Sequence, residues 1–194
     1  MKSTFFHVGV NRTMARAGGL KEPYLDPDGS IPFVPLPNHH DPDFDELTYG
    51  DPWGRLNKFD KGDVAWFIES GSSTNSDWGY YLVAFFVIDE VYAKSGGNWS
   101  SPVRTSHLSR IIKNAHEIRG DQNYAIILGN KDHSKLLFST PLQISLRQDP
   151  FHNIKIALGL PVEKEAIGYW FKKWFQNKET TALLRIARRH SSGV

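Results

Sequence analysis

Two groups of residues in this chain have types and spacings that could do chemistry. The first is Asn38-His39-His40-Asp41-Pro42-Asp43-Phe44, followed closely by Thr48-Tyr49-Gly50-Asp51. An imidazole beside carboxylates can pass a proton, so His40, Asp41, Asp43, Tyr49 and Asp51 would serve as an acid–base centre. Asp41, Asp43 and Asp51 could also hold a hard divalent ion through oxygen. The same residues suit plain turn chemistry, because Asn, Asp and Thr side chains bond nearby backbone amides in proline-containing loops. The second group is aromatic. Trp66 and Phe67 point to opposite faces of an expected strand, and Trp78 and Tyr80 follow a polar loop from Ser70 to Asp77. A nucleobase stacks on an aromatic ring for roughly 1–3 kcal/mol, which offsets the cost of drawing it out of a helix. Trp66, Trp78 and Tyr80 around a slot, with Ser70 bonding the base edge, would make a base pocket; packing into a core is the competing reading for either tryptophan.

Absent signatures narrow the chemistry further. The chain has no Gly-Lys-Ser/Thr phosphate loop, no Gly-x-Gly-x-x-Gly and no Gly-x-Ser-x-Gly turn, so the signatures of a nucleoside triphosphatase, a dinucleotide enzyme and a serine hydrolase are missing. No Lys has an acid two residues before it, and the eight histidines include no His-x-x-x-His pair. A restriction-nuclease core and a helical zinc site are therefore not expected. With Cys 0, thiolate catalysis, disulfides and iron–sulfur clusters are excluded, which fits a reducing compartment. Neither a metal nor a cofactor is expected.

Charge is unevenly distributed although the net charge is only +2. Residues 22–51 hold eight acids and no Lys or Arg, whereas Gly97 to Val194 carry 15 basic against 7 acidic residues. Arg185, Arg188 and Arg189 fall on one face of an expected helix, and such asymmetry suggests a polyanion partner, with a solvated basic tail as the alternative.

The elements that would position these residues follow from periodicity. A strand is expected from Thr4 to Val10, then an irregular excursion over residues 11–63, rich in Pro, Gly, Asp and Asn yet carrying ten apolar anchors. Val64–Glu69 reads as a strand, and Tyr80–Tyr92 as a long one, apolar on both faces and so central in a sheet covered on both sides. Ser101-Pro102 opens one amphipathic helix through Leu108, Ile111, Ile112 and Ala115. Tyr124–Gly129 and Leu136–Ser145 read as strands joined by the turn Asn130–Ser134. Ile167, Trp170, Phe171, Trp174 and Phe175 form a stripe at helical spacing, opening a helical segment over 162–190 whose second, short helix carries Leu183, Leu184, Ile186 and Ala187. Strands and helices do not alternate, so the expectation is a single mixed α+β domain over 1–194, built on a curled, barrel-like sheet with flanking helices. A chain of 194 residues buries roughly 70% of its unfolded surface without a staple. Its longest apolar run, Tyr80 to Ile88, is about half the ~20 residues of a membrane span, and no signal-like apolar region opens the chain. A soluble cytoplasmic protein is expected.

At these residues a resemblance enters. Gly62-Asp63-Val64-Ala65, Phe67, Ser70-Gly71 and the aromatic strand to Tyr92 resemble the opening of the PUA-like group of small barrels, which includes the EVE and YTH domains that read modified bases. More specifically, His7-Val8-Gly9-Val10-Asn11, Asp28 to Pro37, His40 to Phe44, Thr48 to Asp51 and Leu56 to Asp63, in that order, resemble the third of the nucleotide-modification-associated domain families. The resemblance covers residues 5–92 and implies association with DNA-base modification. The resulting expectation is a nucleic-acid-binding module, for DNA rather than RNA, that takes an extruded modified base between Trp66, Trp78 and Tyr80. Arg12, Arg16, Arg185, Arg188 and Arg189 would meet phosphates. The alternatives are an enzyme on a nucleotide or base, working through the His40 cluster, and a protein adaptor using its aromatic C-terminal segment. No membrane partner is expected, and oligomeric state is left open.

Overall fold

The structure is a computed structural model of the whole chain and describes residues 1–7, 42–52, 54–71, 79–137, 142–146 and 173–192; for 69–71, 79–80 and 143–146 it describes the backbone alone. In chain order the elements are β1 (Ser3–His7), β2 (Thr48–Asp51), β3 (Val64–Gly71), β4 (Gly79–Ser95), β5 (Asn98–Trp99), α1 (Thr105–Ile111), α2 (Ala115–Arg119), β6 (Tyr124–Gly129), β7 (Lys135–Leu136), β8 (Leu142–Leu146) and α3 (Asn177–Ser191). The mixed α+β class is as expected.

The chain forms two compact units, and the 17-residue β4 contributes to both, its residues up to Phe85 to the first and those from Phe86 to the second. In the first unit β1 lies parallel to β3, with Phe5 opposite Trp66 and Phe6 opposite Phe67. β3 neighbours β4, whose early residues also pair antiparallel with β7 and β8. Strand alternation sorts the side chains, so Phe5, Trp66 and Phe85 form one ring cluster and Phe6 stacks on Phe67 on the opposite face. In the second unit β2, β6 and the late residues of β4 run antiparallel, with β5 as a short hairpin return onto β4. Tyr92, Ile111, Tyr124, Ile126 and Leu128 make its core, with Trp99 and Val103 packed against them.

Four expectations are corrected. Among the described residues no pairing closes the strands into a barrel, because β1 and β2 end the ladder of strands without meeting one another. The single helix expected after Pro102 is two short ones, because Asn114 caps a new start: its side chain accepts from the His116 amide. Leu108 and Ile112, read as core, are 46% and 56% exposed as a result. Leu136–Ser145 divides into β7 and β8, with 138–141 outside the described residues. The described part of the expected 162–190 helical segment is not helical at 173–176, where Phe175 forms an isolated bridge with Ser3, and turns helical only at Asn177; 162–172 lie outside the described residues. No helix of the described residues is long and apolar enough to cross a membrane.

Candidate nucleic-acid interface

α3 is built to hold one face outward. Gln176 and Glu179 form a capping box at its start, the Glu179 carboxylate accepting from the Gln176 amide at 2.6 Å. Thr180, Leu183, Leu184 and Ala187, spaced i, i+3, i+4, i+7, are buried. The helix is pinned by its neighbours in the chain and by β1. Ser3 and Phe175 exchange backbone hydrogen bonds of 2.9 and 2.8 Å, Thr4 Oγ1 donates to the Lys173 carbonyl at 2.8 Å, and the buried hydroxyls of Ser3 and Thr180 meet at 2.8 Å. The opposite face carries Lys178, Arg185, Arg188 and Arg189, all exposed. None of these four makes an ion pair with a described residue. Arg188, Arg189 and His190 also sit in the last turn, where cations complement the helix dipole.

Trp66 lies in the same unit. It is fully buried, its ring 5.4 Å from that of Phe85 and 6.2 Å from that of Phe5. It is thereby a core residue, and only its indole N–H is left over: Nε1 is buried with no hydrogen-bond partner among the described residues. Such an orphaned donor costs about 1–3 kcal/mol. Of the other residues assigned to the base pocket and to phosphates, Trp78, Arg12 and Arg16 lie outside the described residues, as do the side chains of Ser70 and Tyr80.

The His40 cluster is separated into roles. His40 and Asp41 lie outside the described residues. Asp43 opens a turn closed by two backbone bonds with Thr48, and its Oδ1 accepts from the amides of Asp45 and Glu46 at 3.1 and 3.0 Å. Tyr49 and Asp51 belong to β2, which pairs with β6, and Asp51 is 8% exposed. Gly50 beside them leaves room for an imidazole, since a Cβ there would collide with His116 Cδ2. Among the described residues no group of three His, Asp or Glu side chains could hold a metal ion.

Sequence reading missed the polar groups that fasten α1 and α2 in the second unit. Arg110, 6% exposed, donates from Nε to the Glu46 carbonyl and from one terminal nitrogen to those of Leu47 and Gly129, at 2.8 to 3.2 Å. Burial lowers its pKa, and Glu46 and Asp89 oppose that. His107 Nδ1 stands 2.9 Å from the Tyr92 hydroxyl and Nε2 stands 3.5 Å from Asp89. Asp89 selects the Nε2–H tautomer, so Nδ1 accepts from Tyr92. Burial pushes the His107 pKa down; Asp89 pulls against that, and Arg110 and Arg104 reinforce it. Further along, Glu117 takes both Lys94 and the Tyr124 hydroxyl, and burial followed by that carboxylate raises the Tyr124 pKa. A lone His or Arg in a helical pattern carries no mark of these partners, which only strand register supplies.

Compared with known proteins, the chain matches no family model, no curated protein and no solved structure.

Proposed function

We propose that this chain is a nucleic-acid-binding module with a PUA-like curled sheet, which grips the phosphate backbone of DNA and accepts an extruded, modified base. The observation that carries the reading is the outward face of α3, where Lys178, Arg185, Arg188 and Arg189 are held by a buried anchor yet spend no charge on a described carboxylate. Arginine forks suit phosphate oxygens, and a fixed helix presents them without an ordering cost. The apolar stripe of α3 is already buried in its own unit. That favours a polyanion over a lipid surface, which a peripheral helix enters by its apolar face.

The test is a panel of oligonucleotides differing in one modified base, titrated at several salt concentrations. Wild type is expected to prefer a modified oligonucleotide and to lose affinity linearly in log salt. Replacing Arg185, Arg188 and Arg189 by Ala should weaken all oligonucleotides at least about ten-fold and flatten the salt slope by about 0.9 for each duplex phosphate no longer neutralised. Trp78→Ala should remove the preference and leave the slope. Equal, weak, salt-insensitive binding by all proteins refutes the reading.

A further inference from the structure

α3 carries two polar residues that the helix does not need for itself. Its start is closed by the Gln176–Glu179 capping box, so Asn177, in the first helical position, is not the cap. Thr181 is a β-branched residue in the helix interior, where most residue types are more favourable. Both are exposed, and their side chains adjoin: Thr181 Oγ1 stands 3.5 Å from Asn177 Oδ1, the long limit of a hydrogen bond. The structural task falls to Thr180, whose buried hydroxyl meets those of Ser3 and the Phe175 carbonyl.

The same face holds the cations. Asn177, Thr181, Arg185 and Arg188 follow at i, i+4, i+8 and i+11, one stripe of a 3.6-residue helix, with Lys178 and Arg189 along its flank. The one acid of α3, Glu179, lies two residues from both Asn177 and Thr181, a spacing that shares no face, and accepts from the Gln176 amide. A side-chain amide and a methyl-bearing hydroxyl thus open a face whose other members are cations. Phosphates call for the charge, whereas an amide and a methyl suit base edges. In the major groove an Asn amide pairs with adenine N6 and N7, and a Thr methyl packs on the thymine methyl. Four residues of helix span about 6 Å, close to two base-pair steps of about 3.4 Å.

We infer that α3 reads duplex DNA from the major groove, Asn177 taking an adenine edge and Thr181 a neighbouring thymine methyl while Lys178, Arg185, Arg188 and Arg189 hold phosphates. The inference rests on the nucleic-acid reading above and deepens it: the module has a sequence preference of its own besides the modified base. The buried stripe of α3 and the Ser3 hydroxyl fix the helix, which keeps both side chains in register with the base edges. Duplex RNA offers no such readout, because its major groove is too deep and narrow for side chains.

Wild type, Asn177→Ala, Thr181→Ser, Thr181→Val and the triple alanine variant of Arg185, Arg188 and Arg189 are titrated with unmodified duplexes, as DNA and as RNA, that vary at about four adjacent base pairs. Wild type should prefer DNA duplexes with adenine and thymine in neighbouring pairs about 5- to 100-fold, the discrimination of one good base-edge contact, and bind the RNA duplexes without preference. Asn177→Ala should erase the adenine preference with the salt slope unchanged; alanine favours a helix, so unfolding does not explain the loss. Thr181→Ser and deoxyuridine in place of thymine each remove the methyl contact, so either alone should weaken binding and the two together no further. Thr181→Val should keep that contact. If wild type discriminates no base pair, or if Asn177→Ala and Thr181→Ser keep its preference while the triple alanine variant abolishes binding, the base readout is wrong and the nucleic-acid reading stands. The same preference on RNA duplexes also overturns it. If wild type binds no oligonucleotide at any salt, both fall.

Discussion

Described cations in the two units are used differently. In the second unit Lys61, Lys94, Arg104, Lys113 and Arg119 each meet a carboxylate, and Arg110 meets three carbonyls. In the first, Lys178, Arg185, Arg188 and Arg189 share one exposed helix face with no described carboxylate among them. Arginines that look alike in sequence are thus a fastener in one place and an exposed face without a described carboxylate partner in the other. A basic excess along a chain therefore points to a partner only after the internally consumed cations are subtracted.

The contrast is sharpest at Arg110. Arg110→Ala removes donors from three backbone carbonyls of the Glu46–Leu47 turn and β6, and should cost about 3 kcal/mol in denaturant unfolding. The triple alanine variant of α3 should change stability by less than about 0.5 kcal/mol, as surface substitutions generally do. Equal losses in the two variants would erase the distinction between them. A second probe is Gly50→Ala, which forces a methyl group toward His116 Cδ2. A destabilisation of about 1–3 kcal/mol is expected, with oligonucleotide affinity preserved in the fraction that folds. An affinity loss exceeding the loss of folded protein would tie the second unit to binding.

The smallest effect is a pH dependence. His107 resists protonation when folded, because burial lowers its pKa from 6.5, whereas the unfolded chain takes the proton near that value. The unfolded state therefore binds more protons below about pH 6.5, so stability is complete above that range and declines as pH falls through it. Protonation also makes Nδ1 a donor facing the Tyr92 hydroxyl, which already accepts the Arg104 amide. Asp89, Glu46 and Asp121, held low chiefly by hydrogen bonds from Lys61, Lys113 and Arg119, add their own loss only below about pH 4. Unfolding titrations from about pH 8 to 5, the range that brackets an imidazole, should show the decline in wild type and in the α3 alanines, and a smaller one in His107→Phe, where burial still lowers the pKa of His7. A decline of undiminished size in His107→Phe would place the proton elsewhere.

Much of the fold was legible from pattern. The doubly apolar run around Phe85 could only be a covered central strand, and β4 pairs with five other strands. Asn130 does cap the turn expected after β6, its side chain accepting from Asp132 and His133. The turn reading of Asp43 was likewise available from residue type alone. The face of Arg185, Arg188 and Arg189 followed from the 3.6-residue period, because an exposed helical face is a local property.

What failed locally failed for a tertiary reason. Trp66 and Trp174 are the same residue type in similar aromatic company, yet Trp66 in the ladder with β1 is fully buried whereas Trp174, beside the Ser3–Phe175 pair, is half-buried. Composition, charge asymmetry and strand or helix period were determined by the chain itself, since they depend on neighbours a few residues away. Which cations are consumed, which indole is fully buried and which histidine is sealed depended on contacts between residues far apart in the chain, up to 177 positions for Ser3 with Thr180. Only a folded backbone brings such groups within hydrogen-bonding reach.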